Sequence, residues 1–141
     1  IPATPITVAP RDPSALPSPL DVAVSEYQRA LRLVSERDLD GALRAFAAFL
    51  STHPAHAYAD NALYWRAEVF YARHDWPAAV SELEALVARF PGGSKVPDAL
   101  LRLGMCWERL GDSARARTYF DLLVREHPDS TAAHMASRED T

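Results

Sequence analysis

The sequence predicts an all-α fold: three tandem helical hairpins, stacked and curved, closed by a short C-terminal capping helix. Three observations predict it. A period of 37 residues runs through the chain without insertion, marked by Pro54, Pro91 and Pro128. Within each unit the apolar residues recur at helical spacing. Small residues (Ala30, Ala67, Gly104 and Ala42, Ala79, Ala116) and large ones (Phe46, Leu83, Phe120) hold fixed places in the period. A period of this length means stacked units, none of which buries its apolar face alone. It also makes binding a better expectation than catalysis.

The elements follow in order. Residues 1–20 contain six of the eleven prolines and show no helical periodicity, so they read as an extended linker or tail. Such a tail could also fill the groove of another copy, which would give self-association. From Asp21 the pattern turns helical, with Tyr27, Leu31 and Val34 at helix spacing, and it stops near Arg37-Asp38. It restarts as Leu39, Ala42, Leu43, Phe46, Phe49 and Leu50, and Pro54 ends it. The repeats are expected at about 22–54, 59–91 and 96–128. A cap is expected over 130–138, where Thr131, Ala133 and Ala136 align with Ser94, Val96 and Ala99. Asp38, Asp75 and Asp112 stand where each second helix should begin, and a short carboxylate there can accept bonds from orphan backbone N–H groups. Pro77 falls in a first helical turn, where a missing N–H costs little.

Composition narrows the function. A net charge of −4 argues against a general nucleic-acid surface. No run approaches the ~18 apolar residues of a membrane span. The one cysteine, Cys106, allows no internal disulfide and reads as a small buried hydrophobe. The start at Ile1, without Met or signal peptide, reads as a fragment or a processed product. His53 and His56 have H-x-x-H spacing, but His53 and His127 share one repeat position, which argues for a structural role. There is no H-E-x-x-H, Gly-rich phosphate loop or nucleophile elbow. No enzyme activity, catalytic residue, cofactor or metal is expected.

The third unit reads Leu100-x2-Leu103-Gly104-x2-Trp107, then Ala116-x3-Phe120, then Pro128. This resembles the tetratricopeptide pattern and implies a right-handed superhelix of helical hairpins. The usual period is about 34, so three extra residues are expected in each inter-repeat turn. Asn61-Ala62-Leu63-Tyr64-Trp65 with Glu68, Tyr71 and Asp75 resembles the second repeat of the Tol-Pal system protein family known as YbgF or CpoB. The spacing from Pro54 to Asn61-Ala62, and from Pro91 to Asp98-Ala99, is similar too. Arg66-Ala67 departs from that family's Leu-Gly-like pair. The resemblance covers roughly residues 22–136. It implies a periplasmic adaptor that contacts a TolA-like envelope protein or a peptidoglycan synthase complex and links envelope constriction to wall synthesis. The alternative is a scaffold lipoprotein of an outer-membrane assembly, motility or secretion complex.

In such a stack the first helix of each hairpin lines the concave side. The family's groove positions fall on Tyr27, Leu31 and Val34 in the first unit. They fall on Asn61, Tyr64, Glu68 and Tyr71 in the second, and on Asp98, Leu101, Met105, Glu108 and Arg109 in the third. Geometry picks the same residues, on the helix face away from Ala30, Ala67 and Gly104. Tyr, Leu and Met are anchors for a peptide or helix, and Glu68, Asp98 and Glu108 favour a segment carrying Lys or Arg. Replacing Tyr64 and Glu68 is therefore expected to weaken binding and spare thermal stability. Trp65 is expected to pack on the preceding unit.

Overall fold

The computed structural model describes residues 18–139. Residues 1–17, and with them the expected tail and its self-association, lie outside the described residues. Seven helices follow one another: α1 (Pro19–Ser35), α2 (Leu39–Thr52), α3 (Ala59–Ala72), α4 (Trp76–Arg89), α5 (Val96–Arg109), α6 (Ser113–Glu126) and α7 (Thr131–Glu139). Among the described residues there is no strand. Each helix packs on its neighbours in sequence, and α7 closes on both α5 and α6. The fold is a run of three hairpins with an added helix.

Helix α1 opens at Pro19, inside the proline-rich stretch and two residues before the periodicity becomes legible. Ser18 Oγ accepts the Asp21 N–H at 3.2 Å, and Pro19 occupies a first-turn position where its missing N–H is no loss.

The turns inside the hairpins are copies of one another. After α1, Arg37 N–H bonds Val34 O and Asp38 N–H bonds Leu33 O, at 3.0 and 2.9 Å. Asp75 N–H to Phe70 O and Asp112 N–H to Trp107 O repeat the second bond at 2.9 Å. This closure needs a left-handed residue, and Arg37, His74 and Gly111 supply it with φ of 65, 60 and 84°. Only Gly111 does so without a Cβ penalty. Arg37→Gly should therefore raise stability by about 1 kcal/mol, seen as a higher urea midpoint at unchanged slope.

The residue after each left-handed one is the predicted cap. Asp38, Asp75 and Asp112 accept the N–H of Gly41, Ala78 and Arg115 at 3.0, 3.3 and 2.9 Å. Asp75→Ala should cost about 1 kcal/mol, measurable by the same titration.

Between hairpins the connection is longer. Residues 53–58 and 90–95 make paired turns, with His56 N–H to His53 O and Ala59 N–H to His56 O, then Gly93 N–H to Phe90 O and Val96 N–H to Gly93 O. The lengthened period is thus taken up between hairpins.

Packing explains the invariant places of the repeat. Ala30, Ala42, Ala67, Ala79 and Ala116 are buried, as are Phe46, Leu83 and Phe120. At Gly104 a Cβ would lie within 2.6 Å of Cδ1 and Cζ of Phe120. The first hairpin gathers Ala23, Tyr27, Ala30, Ala42, Phe46 and Phe49, and Ala62 carries this core into α3. A second cluster runs from Leu63 to Ala136, and Leu50 packs against both. Fully burying Phe46 and Phe49 contributes about 1.5–3 kcal/mol each.

Cys106 is fully buried, as expected, and burial pushes its thiol up to about 11. It should resist iodoacetamide at pH 8 until the chain is unfolded, a contrast readable by mass spectrometry.

Candidate functional site

The first helices of the hairpins, α1, α3 and α5, meet through side chains across the hairpin boundaries. Their common face was expected to bind, and the structure shows what each residue on it does.

Two of the expected residues belong to the core. Tyr27 is 7 % exposed, its ring 6.0 Å from Phe46, 5.7 Å from Phe49 and 4.8 Å from Tyr58. The inter-hairpin turn that carries Tyr58 covers it. Burial raises the Tyr27 hydroxyl pKa, more than its hydrogen bonds to Trp65 and Asn61 lower it. Leu101 is 8 % exposed and joins the second cluster, where its apolar side chain gains more by burial than by facing solvent. Leu31 and Val34 are half-buried against the first cluster. Trp65 packs there too, so α3 leans on the first hairpin through an indole.

Glu68 is already engaged. Arg102 Nε lies 2.6 Å from its Oε1 and Nη2 lies 3.0 Å from its Oε2, a two-pronged ion pair joining α3 to α5. The two side chains are about one-quarter exposed, at 25 % and 26 %. The Arg102 guanidinium lies over the Tyr71 ring at 4.4 Å and reaches Met105 Sδ at 3.8 Å. Burial acts to lower the Arg102 pKa, but the hydrogen bond and charge of Glu68 outweigh it and the net shift is upward. The expectation that Glu68 offers its charge to a ligand gives way to a structural bond between hairpins. Position explains the pairing. Arg102 follows Glu68 by 34 residues, one period less one helical turn, as Trp65 follows Leu31. The same register holds two apolar residues packed on the first cluster at the first boundary and an ion pair at the second.

The remaining expected residues form a mixed surface. Tyr64 is half-buried with Lys95 Nζ 5.1 Å from its ring centre. Burial, and then the Glu68 charge, pushes the Tyr64 hydroxyl up to about 12. With Cys106 raised as well, the native chain holds protons that the unfolded chain releases. Stability should fall as pH rises from about 9 to 12, a trend that urea titrations across this window would read.

Asn61, Tyr71, Asp98 and Met105 are half-buried, and Glu108 and Arg109 are exposed. Lys95 also stands 3.9 Å from Asp98. Arg109 lies over Trp76 at 5.7 Å, and Trp76 contacts Tyr71 edge-on at 4.9 Å and stacks on His74 at 5.0 Å.

Arg102, Lys95 and Trp76 are the members that sequence reasoning missed, and only the 34-residue offset signals the first. Met135 on α7 falls two periods after Asn61 and is 49 % exposed, which continues the same face onto the cap.

At one edge the face deepens. A pocket of about 400 Å³ opens between the first two hairpins, lined by Val34, Ser35, Arg37, Leu39, Trp65, Glu68, Val69 and Ala72.

The two histidines with H-x-x-H spacing serve packing. His53 Nε2 is 3.1 Å from Glu26 Oε2, His56 Nδ1 accepts the Tyr58 N–H at 3.0 Å, and both rings flank Phe49. Among the described residues no group of three or more metal-ligating side chains occurs, and no helix is long and apolar enough to cross a membrane.

Known proteins resemble this chain in sequence or in fold. Cell division coordinator CpoB of Pseudomonas putida, in strain KT2440 and in a second sequence of the species, is 45% identical over 49 residues. That stretch is 35% of this chain and 18% of CpoB, so the chain matches less than a fifth of the length of these curated relatives. The N-terminal domain of stress-induced protein-1 (STI-1) from C. elegans superposes with a TM-score of 0.72, over 89% of this chain and all of that one. At 15% identity this likeness shows the fold alone. The family model described as tetratricopeptide repeat matches twice, over residues 27–94 and 64–131. The two matches are offset by the 37-residue period itself, and together they span most of the chain. With the hairpins, the small-residue contacts and the Asp caps repeating in the same phase, the chain belongs to the tetratricopeptide-repeat family.

Proposed function

We propose that this domain is a periplasmic adaptor whose α1–α3–α5 face holds a peptide or helix of an envelope partner, TolA-like or part of a peptidoglycan synthase complex. Through it, envelope constriction is coordinated with wall synthesis. The observation that carries the reading is the surface of Tyr64, Tyr71 and Met105. Its aromatic and thioether groups are half-buried and held in place by Lys95 and Arg102. Rigid aromatic and sulfur anchors set among fixed charges suit a polypeptide ligand. Tetratricopeptide repeats are protein-interaction scaffolds, and the likeness to CpoB supports the envelope partner.

The test is capture of a purified TolA-like protein by the immobilised domain. Capture should fall at least fivefold in Tyr64→Ala, with the helical circular-dichroism spectrum retained. No capture by the unaltered domain would overturn the choice of partner.

A further inference from the structure

We propose that the pocket between the first two hairpins takes a large apolar side chain of the partner together with a neighbouring carboxylate, which pairs with Arg37. The proposal rests on the protein-binding reading of the adjoining face, and it names the chemistry recognised at that face's edge.

Shape and lining define the first half of the ligand. About 400 Å³ holds one or two large side chains, not a whole helix. Val34, Leu39, Trp65, Val69 and Ala72 make the walls apolar. An apolar side chain entering them releases water from both surfaces.

Charge defines the second half. Two charged residues line the pocket, Arg37 and Glu68. Glu68 is bound at both oxygens by Arg102, so its charge is answered within the protein. Arg37 has no acidic or aromatic partner among the described residues. A basic ligand group would meet this cation and find the one carboxylate taken, whereas an acidic group would gain a charge-assisted bond.

The backbone at Arg37 makes it a usable probe. Arg37 holds a left-handed φ of 65°. Its counterpart one period on, His74, is compensated by stacking on Trp76 at an interplanar angle of 18°, and the counterpart after that is Gly111, which has no Cβ to strain. The Arg37 side chain makes no hydrogen bond, ion pair or ring contact among the described residues. The strain supplies a clean probe, because Arg37→Gly removes the charge while relaxing the turn.

The experiment is selection of a random twelve-residue phage-displayed library on the whole chain, followed by affinity measurement with the enriched peptides made synthetically. The expected peptides place Leu, Ile, Met or an aromatic residue within two positions of Asp or Glu. Their Kd should rise about tenfold in Arg37→Gly even as the melting temperature rises, a combination that a structural role cannot produce. Ala72→Phe, which fills the pocket from its rim, should remove binding. Enriched peptides that are basic, or that lack acids, would overturn the proposed chemistry. Peptides indifferent to both variants but weakened by Tyr64→Ala would overturn the pocket and leave the protein-binding reading standing. Failure to enrich any peptide would overturn both.

Discussion

Gly104→Leu should destabilise the chain by about 3 kcal/mol, with a lowered urea midpoint and earlier hydrogen exchange in α5 and α6. The cause is local. Even a Cβ added at this position would press on the Phe120 ring, and Phe120 is 5 % exposed and part of the second cluster. The ring has nowhere to withdraw, so added atoms must part α5 from α6. Two effects oppose each other in the milder Gly104→Ala. Helix propensity favours alanine by about 1 kcal/mol, while overpacking costs roughly 1–3 kcal/mol. Net destabilisation is expected, and Phe120→Leu in the same chain should recover part of it by giving the methyl group room. Full stability in Gly104→Leu would mean that the two helices do not approach as closely as the structure places them.

The second large effect concerns the α3–α5 boundary. Glu68→Ala and Arg102→Ala should each cost about 2 kcal/mol, between the ~1 kcal/mol ceiling of exposed pairs and the 3–5 kcal/mol of a broken buried one. The bracket follows from side chains about one-quarter exposed and joined at two points. Removing either partner leaves the other partly desolvated without its counter-charge. The double variant should therefore lose less than the sum of the two, with a coupling of about 1–2 kcal/mol in a double-mutant cycle. Simple additivity would show that the pair contributes nothing to joining the hairpins. A loss of ligand binding in Glu68→Ala alone would then report on the boundary as much as on any contact with the ligand. Tyr64→Ala is the cleaner probe of the face.

Much of the fold was legible because the repeat prints each structural role three times. Asp38, Asp75 and Asp112 could be read as caps, and Gly104 and Ala116 as close contacts, from their phase alone. The start of α1 was less legible, since Pro19 belongs by composition to the stretch before it and only the Ser18 bond marks it as helical. The left-handed turn positions were hidden for a similar reason. Arg37 has no preference for that region and His74 only a mild one, and only Gly111 announces it.

The candidate site was legible as a face and not as a set of contacts. Helical phase assigned Tyr27, Tyr64, Glu68 and Leu101 to one side of their helices. It carries no information about which residue of the next hairpin stands opposite. Tyr58 covers Tyr27 because the connecting turn folds back, and Arg102 takes Glu68 because adjacent hairpins are offset by one helical turn.

By itself the sequence determined the number of hairpins, their caps and their small-residue contacts. Each of these depends on local geometry or on spacing within one period. The tertiary structure alone decided which charges are spent inside the molecule and which face outward. That choice depends on the register between hairpins, which is set by the packing of side chains far apart in the chain.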